Sequence, residues 1–218
     1  VNTSVFSWVQ ARLLRPLPGV DGSASLHLVE PLNDSGLFVG ASWPDYQDLR
    51  SRLSTLPDLI AWGMTPAYVG EAGAVERVFG VLASDNFFYA LGVQPVVGRT
   101  FQPSDLAADG REPVVVISHG LWRSRFQSSP DVVGQTLRVN GQPLTVIGVL
   151  PDVFQGPVLG LNFDVFIPAT MGPVVVAGSD PLRSRRTRGF SVMGRLAPGA
   201  SGEDAQREVD TVMRELAQ

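Results

Sequence analysis

Residues 113–156 decide the fold prediction, and they read PVVVISHGLWRSRFQSSPDVVGQTLRVNGQPLTVIGVLPDVFQG. Asn140 and Gly141 lie in this stretch between two alternating apolar runs. Both residue types tolerate the positive φ angles of a two-residue type I′ turn, so the pattern predicts a β-hairpin. Residues 114–118 predict a buried strand, and residues 121–127 predict a short helix. The stretch therefore encodes structural elements and carries almost no catalytic residues.

The Asn-Gly turn also predicts the register of the hairpin. Leu137 should lie opposite Leu144, and Pro143 should lie opposite Arg138 at a non-hydrogen-bonded position, where the missing N–H faces away from the partner strand. Because side chains alternate between the two faces of a strand, one face becomes apolar. The residues predicted on that face are Leu137, Val139, Leu144 and Val146.

Composition excludes several classes of function. The chain has 218 residues, of which 44% are hydrophobic, which is enough for one large domain or two small ones. All 17 basic residues are Arg, and 21 acidic residues give a net charge of −4, which disfavours a nucleic-acid surface. The lack of Lys excludes Schiff-base chemistry and a phosphate-loop lysine. The lack of Cys excludes disulfides, thiolate catalysis and cysteine-type zinc sites.

Residues 1–14 carry apolar side chains at mostly helical spacing, followed by Pro16 and Pro18. Two interpretations remain open from this spacing. One is an ordinary amphipathic helix, and the other is the last turns of a membrane helix, with Trp8 as an interfacial anchor. Because the chain starts at Val1 without a charged leader, we expect it to be a piece of a longer protein. No run of 18 apolar residues is present, so no complete membrane span is expected.

The first third of the chain predicts a strand, a helix and two further strands. Residues 25–30 alternate like a strand, and Ser42 is placed to cap a helix over residues 44–56. Residues 59–70 and 74–83 then predict a hairpin.

The end of the chain repeats the strand and helix pattern, with a strand at residues 189–196 and a helix that begins after Ser201. Two such units around a hairpin predict an α+β fold with a split β-α-β, ferredoxin-like layer. The final strand of that layer would have to lie beyond Gln218. Residues 101–183 predict a small, mostly β insertion into the layer.

Several motifs give the chain a family resemblance. They are W-R-x-x-F (122–126), D-V-V-G-Q (131–135), V-N-G (139–141), T-V-I-G-V (145–149) and a run from Phe87-Phe88 through Leu91-Gly92-Val93 to Gly98-Arg99-Thr100-Phe101. In this order they resemble the MacB-like periplasmic core domain of FtsX-type ABC transporter permeases. Residues 2–19 resemble the exit from the first transmembrane helix in the orphan-permease branch, which is best known from acidobacteria.

The resemblance implies a domain organisation and a function. Residues 1–19 would be the helix end and exit, residues 20–100 and 184–218 a porter-like subdomain, and residues 101–183 a sabre-like inserted subdomain. The domain would lie outside the inner membrane of a bacterium. It would transmit changes driven by a cytoplasmic ABC ATPase to an outer partner or cargo, within a permease homodimer or pseudo-dimer. It would not be an enzyme, and no cofactor or metal is implied.

The candidate catalytic pair is Ser118-His119, the only neighbouring hydroxyl and imidazole. A hydrolase would need an acid to orient the histidine and an oxyanion hole, and no G-x-S-x-G elbow surrounds Ser118. The sequence instead predicts that Ser118 caps the helix that begins near His119. His27 is expected to be exposed or locally hydrogen-bonded, and the spacing of the two histidines does not favour a metal site.

Three other groups of residues are weaker candidate sites. Arg183, Arg185, Arg186 and Arg188 could meet lipid headgroups or an acidic partner, although a solvated loop is the default interpretation. Asp105, Asp109 and Glu112 lie in a polar loop without calcium-loop spacing, so solvation is expected. Residues 158–161 and 171–177 are apolar, and core packing is favoured over a mobile contact surface.

Two alternative functions remain open. One is a periplasmic binding module that captures a lipoprotein, a peptide or a lipid. The other is a secreted hydrolase, whose activity would disappear on Ser118→Ala or His119→Ala.

Overall fold

The computed structural model describes residues 7–12, 17–32, 39–71, 73–106, 113–176 and 182–216. The chain forms two compact units. The first unit comprises Val1–Arg15, Gly22–Ala61 and Pro181–Gln218, and the second comprises Pro16–Asp21 and Trp62–Asp180.

Strands and α-helices follow each other along the chain without a repeating order. The strands of the described residues are β1 (Ser7–Arg12), β2 (Leu26–Leu32), β3 (Ala41–Ser42), β4 (Ile60–Val69), β5 (Glu76–Ala83), β6 (Val97–Gly98), β7 (Val114–Ile117), β8 (Thr136–Val139), β9 (Gln142–Val149), β10 (Val165–Pro168) and β11 (Arg188–Arg195). The α-helices are α1 (Trp43–Arg52), α2 (Phe87–Leu91), α3 (His119–Phe126), α4 (Gly172–Val175) and α5 (Gly202–Leu216). Within these described ranges, no helix has the length and apolar character needed to cross a membrane.

The N-terminal segment differs from its prediction. Ser7–Arg12 form strand β1, so the predicted helix over residues 1–14, and the helical anchor role of Trp8, are wrong at these positions. β1 pairs antiparallel with β2 over six residue pairs, from Ser7 opposite Leu32 to Arg12 opposite His27. A short helix is marginal by itself, so pairing with a neighbouring strand overrides its weak periodicity. Residues 1–6 and 13–14 of that prediction lie outside the described residues.

The first unit places two helices on one sheet. The strand order is β1, β2, β11 and then the beginning of β4, with the short β3 also paired to β11. α1 contacts β11, α5 contacts β1, and the two helices contact each other, so both lie on the same face. The predicted cap of α1 is confirmed, because the Ser42 hydroxyl accepts a hydrogen bond from the Asp45 N–H at 3.1 Å.

The second unit contains a closed ring of six strands. The order β4, β5, β10, β7, β9, β8 returns to β4 through the pairing of Val69 with Val139. The sheet is mixed, because β10 runs parallel to β5 and β7 runs parallel to β9, while the other neighbours in the ring are antiparallel. Closure leaves the ring without the two open edges of a flat sheet.

The predicted hairpin and its register are confirmed in this ring. Leu137 pairs with Leu144, Arg138 pairs with Pro143, and Asn140 has the positive φ of 51° that the turn requires. The predicted apolar face is buried and contributes to the interior of the ring. The buried residues with which the six strands fill this interior are Ala67, Val69, Val78, Leu82, Val115, Ile117, Leu137, Val139, Leu144, Val146, Val165 and Ile167.

An aromatic cluster covers part of the outside of the ring. Phe88 of α2 lies 5.4 Å from Phe166 of β10, 5.2 Å from Phe101 and 6.3 Å from Phe154, measured between ring centroids. The helix ends at Gly92, whose φ of +70° suits a residue without a side chain. The first part of the run quoted from Phe87 onwards, up to Gly92, is therefore a short helix and its glycine cap, an element that the sequence pattern did not predict.

The two compact units divide the chain at different places from the predicted subdomains. The division falls after Ala61 and after Asp180, instead of after residues 100 and 183. The difference at the first boundary arises because β4 pairs with β5 over eight residue pairs and β5 pairs with β10, which ties residues 62–83 to the ring. The porter-like and sabre-like assignments stay predictions.

Candidate functional site

Ser118 is a helix cap in the structure. Its hydroxyl accepts a hydrogen bond from the Leu121 N–H at 3.0 Å, as predicted, and donates one to Asp164 Oδ1 at 2.8 Å. Burial raises the pKa of Asp164, the Ser118 hydrogen bond opposes that rise, and the charge of Glu76 adds to it. The serine hydroxyl thus donates to a half-buried carboxyl group instead of to an imidazole.

His119 has separate neighbours. Its Nδ1 lies 3.4 Å from Asp152 Oδ1, and its ring meets the ring of Trp122 edge-on at 5.3 Å. A nucleophile requires its base within hydrogen-bond reach and a third group that orients the base. Here the Ser118 hydroxyl donates to Asp164, whereas His119 Nδ1 lies near Asp152 but has no hydrogen-bond partner among the described residues.

The structure gives no metal centre among the residues that it describes. No group of three or more His, Asp or Glu side chains in those ranges could hold an ion. His27 Nδ1 lies 3.0 Å from the Ser25 carbonyl oxygen, which confirms the predicted local hydrogen bond.

The arginine run is attached to helix α1, so its interpretation as a solvated loop is wrong for two of its members. Arg185 donates to Asp45 Oδ1 at 2.6 Å and also to Asp48, and Arg188 donates to the Gly40 carbonyl at 3.3 Å. The side chain of Asp45 is only 2% exposed, and a buried carboxylate requires a cation beside it. These arginines neutralise the first turn of α1.

Asp105 is paired instead of solvated. Its two carboxylate oxygens accept hydrogen bonds from Arg99 at 2.6 and 2.9 Å, and one of them also accepts from the Gln102 N–H at 2.8 Å. The bidentate pair raises the pKa of Arg99, against the opposing effect of its burial. The arginine of the G-R-x-F run thus holds the loop after β6. Asp109 and Glu112 lie outside the described residues.

The two apolar segments are mixed in character. Met171 and Val175 are buried, as core packing predicts, whereas Leu159 and Val174 are nearly half exposed. Neither segment forms a continuous apolar surface in the described residues.

Glu208 clamps helix α5 to the segment that follows α1. Its carboxylate accepts hydrogen bonds from the N–H and hydroxyl groups of both Ser54 and Thr55, at 2.5 to 2.9 Å. Burial acts to raise the pKa of Glu208, but these hydrogen bonds outweigh it and lower the pKa overall. No local sequence pattern predicts this contact, because the partners are more than 150 residues apart.

The most unusual surface in the second unit is an exposed apolar stripe on strands β4 and β5, which we call the β4–β5 stripe. It consists of Met64, Pro66 and Tyr68 at alternate positions of β4, and Phe79 of β5 directly opposite Pro66. The exposed fractions are 54% for Met64, 49% for Tyr68 and 42% for Phe79. Alternation over residues 59–70 predicted the strand, but both faces carry apolar residues, so the sequence did not show which face is exposed.

The fold and the motifs agree with known proteins. The family model of the MacB-like periplasmic core domain matches residues 2–212. No curated protein matches the sequence.

Three solved structures share the fold at low sequence identity. The periplasmic region of MacB from Actinobacillus actinomycetemcomitans gives a TM-score of 0.68 at 14% identity, covering 91% of this chain and 86% of that chain. A domain described as part of a permease protein from Porphyromonas gingivalis gives 0.65 at 18% identity, covering 92% and 84%. The extracellular domain of the noncanonic ABC-type transporter YknZ from Gram-positive bacteria gives 0.57 at 15% identity, covering 81% and 84%.

Proposed function

The chain belongs to the MacB-like periplasmic core domain family of ABC transporter permeases, and we propose that it relays conformational change to an outer partner or cargo. The permeases of this family work with a cytoplasmic ATPase, which would drive the change. The observation that carries the proposal is the family match, which extends over residues 2–212 and is accompanied by a fold shared with a periplasmic region, an extracellular domain and a domain of a permease protein.

The proposal includes a location and an assembly. The full-length permease would lie in the bacterial inner membrane with this domain outside it, as a homodimer or pseudo-dimer. The sequence of residues 2–19 resembles that of the orphan-permease branch, and this resemblance supports placing the full-length protein in that branch.

A relay must be stiff, because a soft domain absorbs a displacement instead of delivering it. The first unit has ties of the kind that resist shear between its helices. Glu208 joins α5 to the segment after α1, and Arg185 joins the turn before β11 to the start of α1. Both ties are charge-assisted, which makes them stronger than neutral hydrogen bonds.

We also infer that the first unit is a ferredoxin-like layer in which β1 takes the place of the missing final strand. The ferredoxin-like order places strand four beside strand one, followed by strands three and two. The observed order β1, β2, β11, β4 fits this pattern if β1 is the fourth strand, and its antiparallel pairing with β2 is the required orientation. The strand expected beyond Gln218 would then be supplied from the N-terminus.

The domain itself would carry out no turnover. In support, the Ser118 hydroxyl donates to Asp164, while His119 is beside Asp152. Activity in the purified chain that disappears on Ser118→Ala or His119→Ala would contradict this part of the proposal.

The absence of cysteine makes a direct test simple. A spin label on Val75→Cys in the full-length permease would be attached at a single site within this domain, and Val75 is 54% exposed. In the permease assembled with its ATPase, we expect the label-to-label distance between two copies to differ between the nucleotide-free and the ATP-trapped state. A distance distribution that is identical in the two states would overturn the relay.

A matched pair of variants tests whether the Glu208 clamp is needed for the ATP-dependent distance change. Glu208→Ala should reduce the ATP-dependent distance change while ATP hydrolysis continues, because the clamp between α5 and the segment after α1 is lost. The control, Glu215→Ala, removes only an exposed ion pair with Arg52 at 3.2 Å and should leave the change intact. The capture module, the alternative function, would show saturable lipopeptide binding by the isolated chain and no distance change.

A further inference from the structure

The β4–β5 stripe lies outside the interior of the ring of the second unit. The inward side chains of the same strands, such as Ala67 and Val78, are buried in the ring, whereas the stripe occupies outward positions, of which Phe79 also contacts the buried Phe163 at 6.1 Å between ring centroids. On β8, for comparison, the outward positions are Thr136 and Arg138, and both are exposed polar residues. Contiguous exposed apolar side chains on a soluble surface mark interaction sites.

The residue types of the stripe are those of protein interfaces. Aromatic residues and Met are enriched at the centres of such interfaces, and Met adapts its shape to different partners. The side chains of Met64, Pro66 and Tyr68 follow each other at two-residue intervals, about 6.8 Å apart along a strand. An extended segment lying along the stripe would present its own alternate side chains at the same interval.

The positive charge of Arg77 beside the stripe favours a partner that carries an acidic residue. Arg77 lies directly opposite Tyr68, on the same face as Phe79, and it is exposed. Among the described residues, no acidic side chain pairs with Arg77, whereas the nearby Arg138 is already paired with Glu71 at 3.2 Å. An acidic residue on a docked segment would meet this exposed guanidinium beside the apolar side chains.

We propose that the β4–β5 stripe and Arg77 form a docking site for an extended segment of a partner protein, with apolar side chains at alternate positions and an acidic residue in the same register. This inference deepens the proposed function, because it locates the surface on which an outer partner would bind. It does not depend on the relay, since docking requires only the second unit.

The test uses the 218-residue chain and a synthetic peptide of sequence Ser-Leu-Ser-Phe-Ser-Asp-Ser, with a matched peptide in which Lys replaces Asp. Titration is followed by two-dimensional NMR of the isotope-labelled chain. We expect saturable shifts at residues 64–68 and 77–79, and binding of the Asp peptide about fivefold tighter than that of the Lys peptide, as expected for a rim charge that changes from attractive to repulsive.

Variants assign the binding to the stripe. Tyr68→Ser combined with Phe79→Ser should weaken binding of the Asp peptide about tenfold or more, as for aromatic anchors of an interface. Arg77→Glu should reverse the preference between the peptides. The control is Tyr89→Ser, which changes an aromatic side chain that is 75% exposed on α2, outside the stripe, and should have no effect. All these side chains are exposed, and an unchanged thermal midpoint would show that each variant is folded.

The proposal is overturned if neither peptide binds, if both bind equally, or if Tyr89→Ser weakens binding as much as the double variant. It is also wrong if the chain dimerises and the double variant dissolves the dimer, because the occupant would then be a second copy. Failure of the relay would appear only in the label distances of the full-length permease, so the two failures are distinguishable.

Discussion

Asn140 joins three segments of the second unit through one amide. Its Oδ1 accepts a hydrogen bond from the Tyr68 N–H and its Nδ2 donates to the Val175 carbonyl, both at 2.8 Å. Its backbone N–H also donates to the Tyr68 carbonyl at 2.8 Å, and its φ is 51°. Asn tolerates this left-handed conformation better than other residues with a side chain. The asparagine of the V-N-G motif therefore serves the turn, the closure of the ring and the attachment of α4.

Replacing this residue should separate those contributions. We expect Asn140→Ala to lower the free energy of unfolding by about 2–3 kcal/mol, from two lost hydrogen bonds and a strained φ. Asn140→Asp keeps the acceptor for Tyr68 and loses the donor to Val175, so its loss should be smaller. Urea denaturation followed by circular dichroism measures the order, and equal losses for the two variants would contradict the role of the amide.

The raised pKa of Asp164 predicts that its contribution to folding stability changes with pH in the opposite direction to that of most carboxylates. Its folded-state pKa is raised above the ordinary value of 3.8, mainly by burial. The folded state then binds the proton more tightly than the unfolded state, so this group lowers stability at neutral pH, and the penalty is relieved as the pH falls through the raised pKa.

The variant Asp164→Asn tests this sign, because the amide oxygen can still accept from the Ser118 hydroxyl. We expect the variant to be at least as stable as the natural chain at pH 7, with an advantage that shrinks as the pH falls towards 4. Urea midpoints at several pH values check it. A variant that loses stability at pH 7 and regains it in acid would refute the assignment.

At the scale of elements, helix α5 owes its position to Glu208 as much as to its apolar side. Val209 and Val212 are buried, and the carboxylate of Glu208 ties the helix to the segment after α1. We expect Glu208→Ala to cost about 1–2 kcal/mol at pH 7, as for hydrogen bonds to a charged group, most of them partly exposed. Glu215→Ala, on the same helix, should cost no more than about 0.5 kcal/mol.

The same clamp should weaken in acid. The pKa of Glu208 in the folded state lies below the ordinary value of 4.5, so its contribution is complete above that value and is lost as the pH falls through the folded pKa. The difference in urea midpoint between the natural chain and Glu208→Ala should therefore decrease below about pH 4.5. A difference independent of pH would show that the methylene packing of the side chain matters more than its charge.

Alanine substitutions at two glycines are expected to have opposite effects on stability, because the space around the two positions differs. A Cβ on Gly148 of β9 would lie 2.1 Å from the Arg99 carbonyl oxygen, whereas a Cβ on Gly120 of α3 would meet nothing closer than 3.6 Å. We expect Gly148→Ala to destabilise by about 3 kcal/mol or more, because backbone has to move. Gly120→Ala should stabilise by about 0.5 kcal/mol through helix propensity. Thermal unfolding of both variants is the measurement, and similar midpoints would contradict this packing.

Sequence reasoning succeeded where local physical signals decide the structure. The Asn140-Gly141 turn, the cap at Ser118 and the cap at Ser42 depend on residues within a few positions of each other, and all three are confirmed. It failed where distant pairing decides. Strand β1 exists through β2, and the arginine run is ordered by α1, so neither could be derived from local periodicity.

The candidate sites follow the same division. The local hydrogen bond of His27 was predicted, because its partner lies two residues away. The ties of Asp105 to Arg99, of Glu208 to Thr55 and of Ser118 to Asp164 were not. The sequence pattern did not predict the β4–β5 stripe, because both faces of β4 are rich in apolar residues. The closed ring of the structure shows which face is inside.

At the scale of the whole molecule, the first unit is assembled from both ends of the chain. β1 pairs with β2, and α5, near the C-terminus, contacts β1. Removal of residues 1–12 should therefore lower the thermal midpoint by at least about 5 °C and expose the edge of β2 to self-association. Size-exclusion chromatography and thermal unfolding measure both effects. Removal of Ala217 and Gln218 alone is the control, and an equal effect there would refute the role of β1.

The short seam that closes the ring determines where the second unit would yield under mechanical load. β4 pairs with β5 over eight residue pairs, but its pairing with β8 is limited to Val69 and Val139 and the hydrogen bonds that flank them, from the Gly70 N–H to Arg138 and between Asn140 and Tyr68. A pull across the ring strains the few bonds of that seam together, while the longer strand pairs share the load. We expect this seam to separate first, which would convert the closed ring into an open sheet whose other strands stay paired.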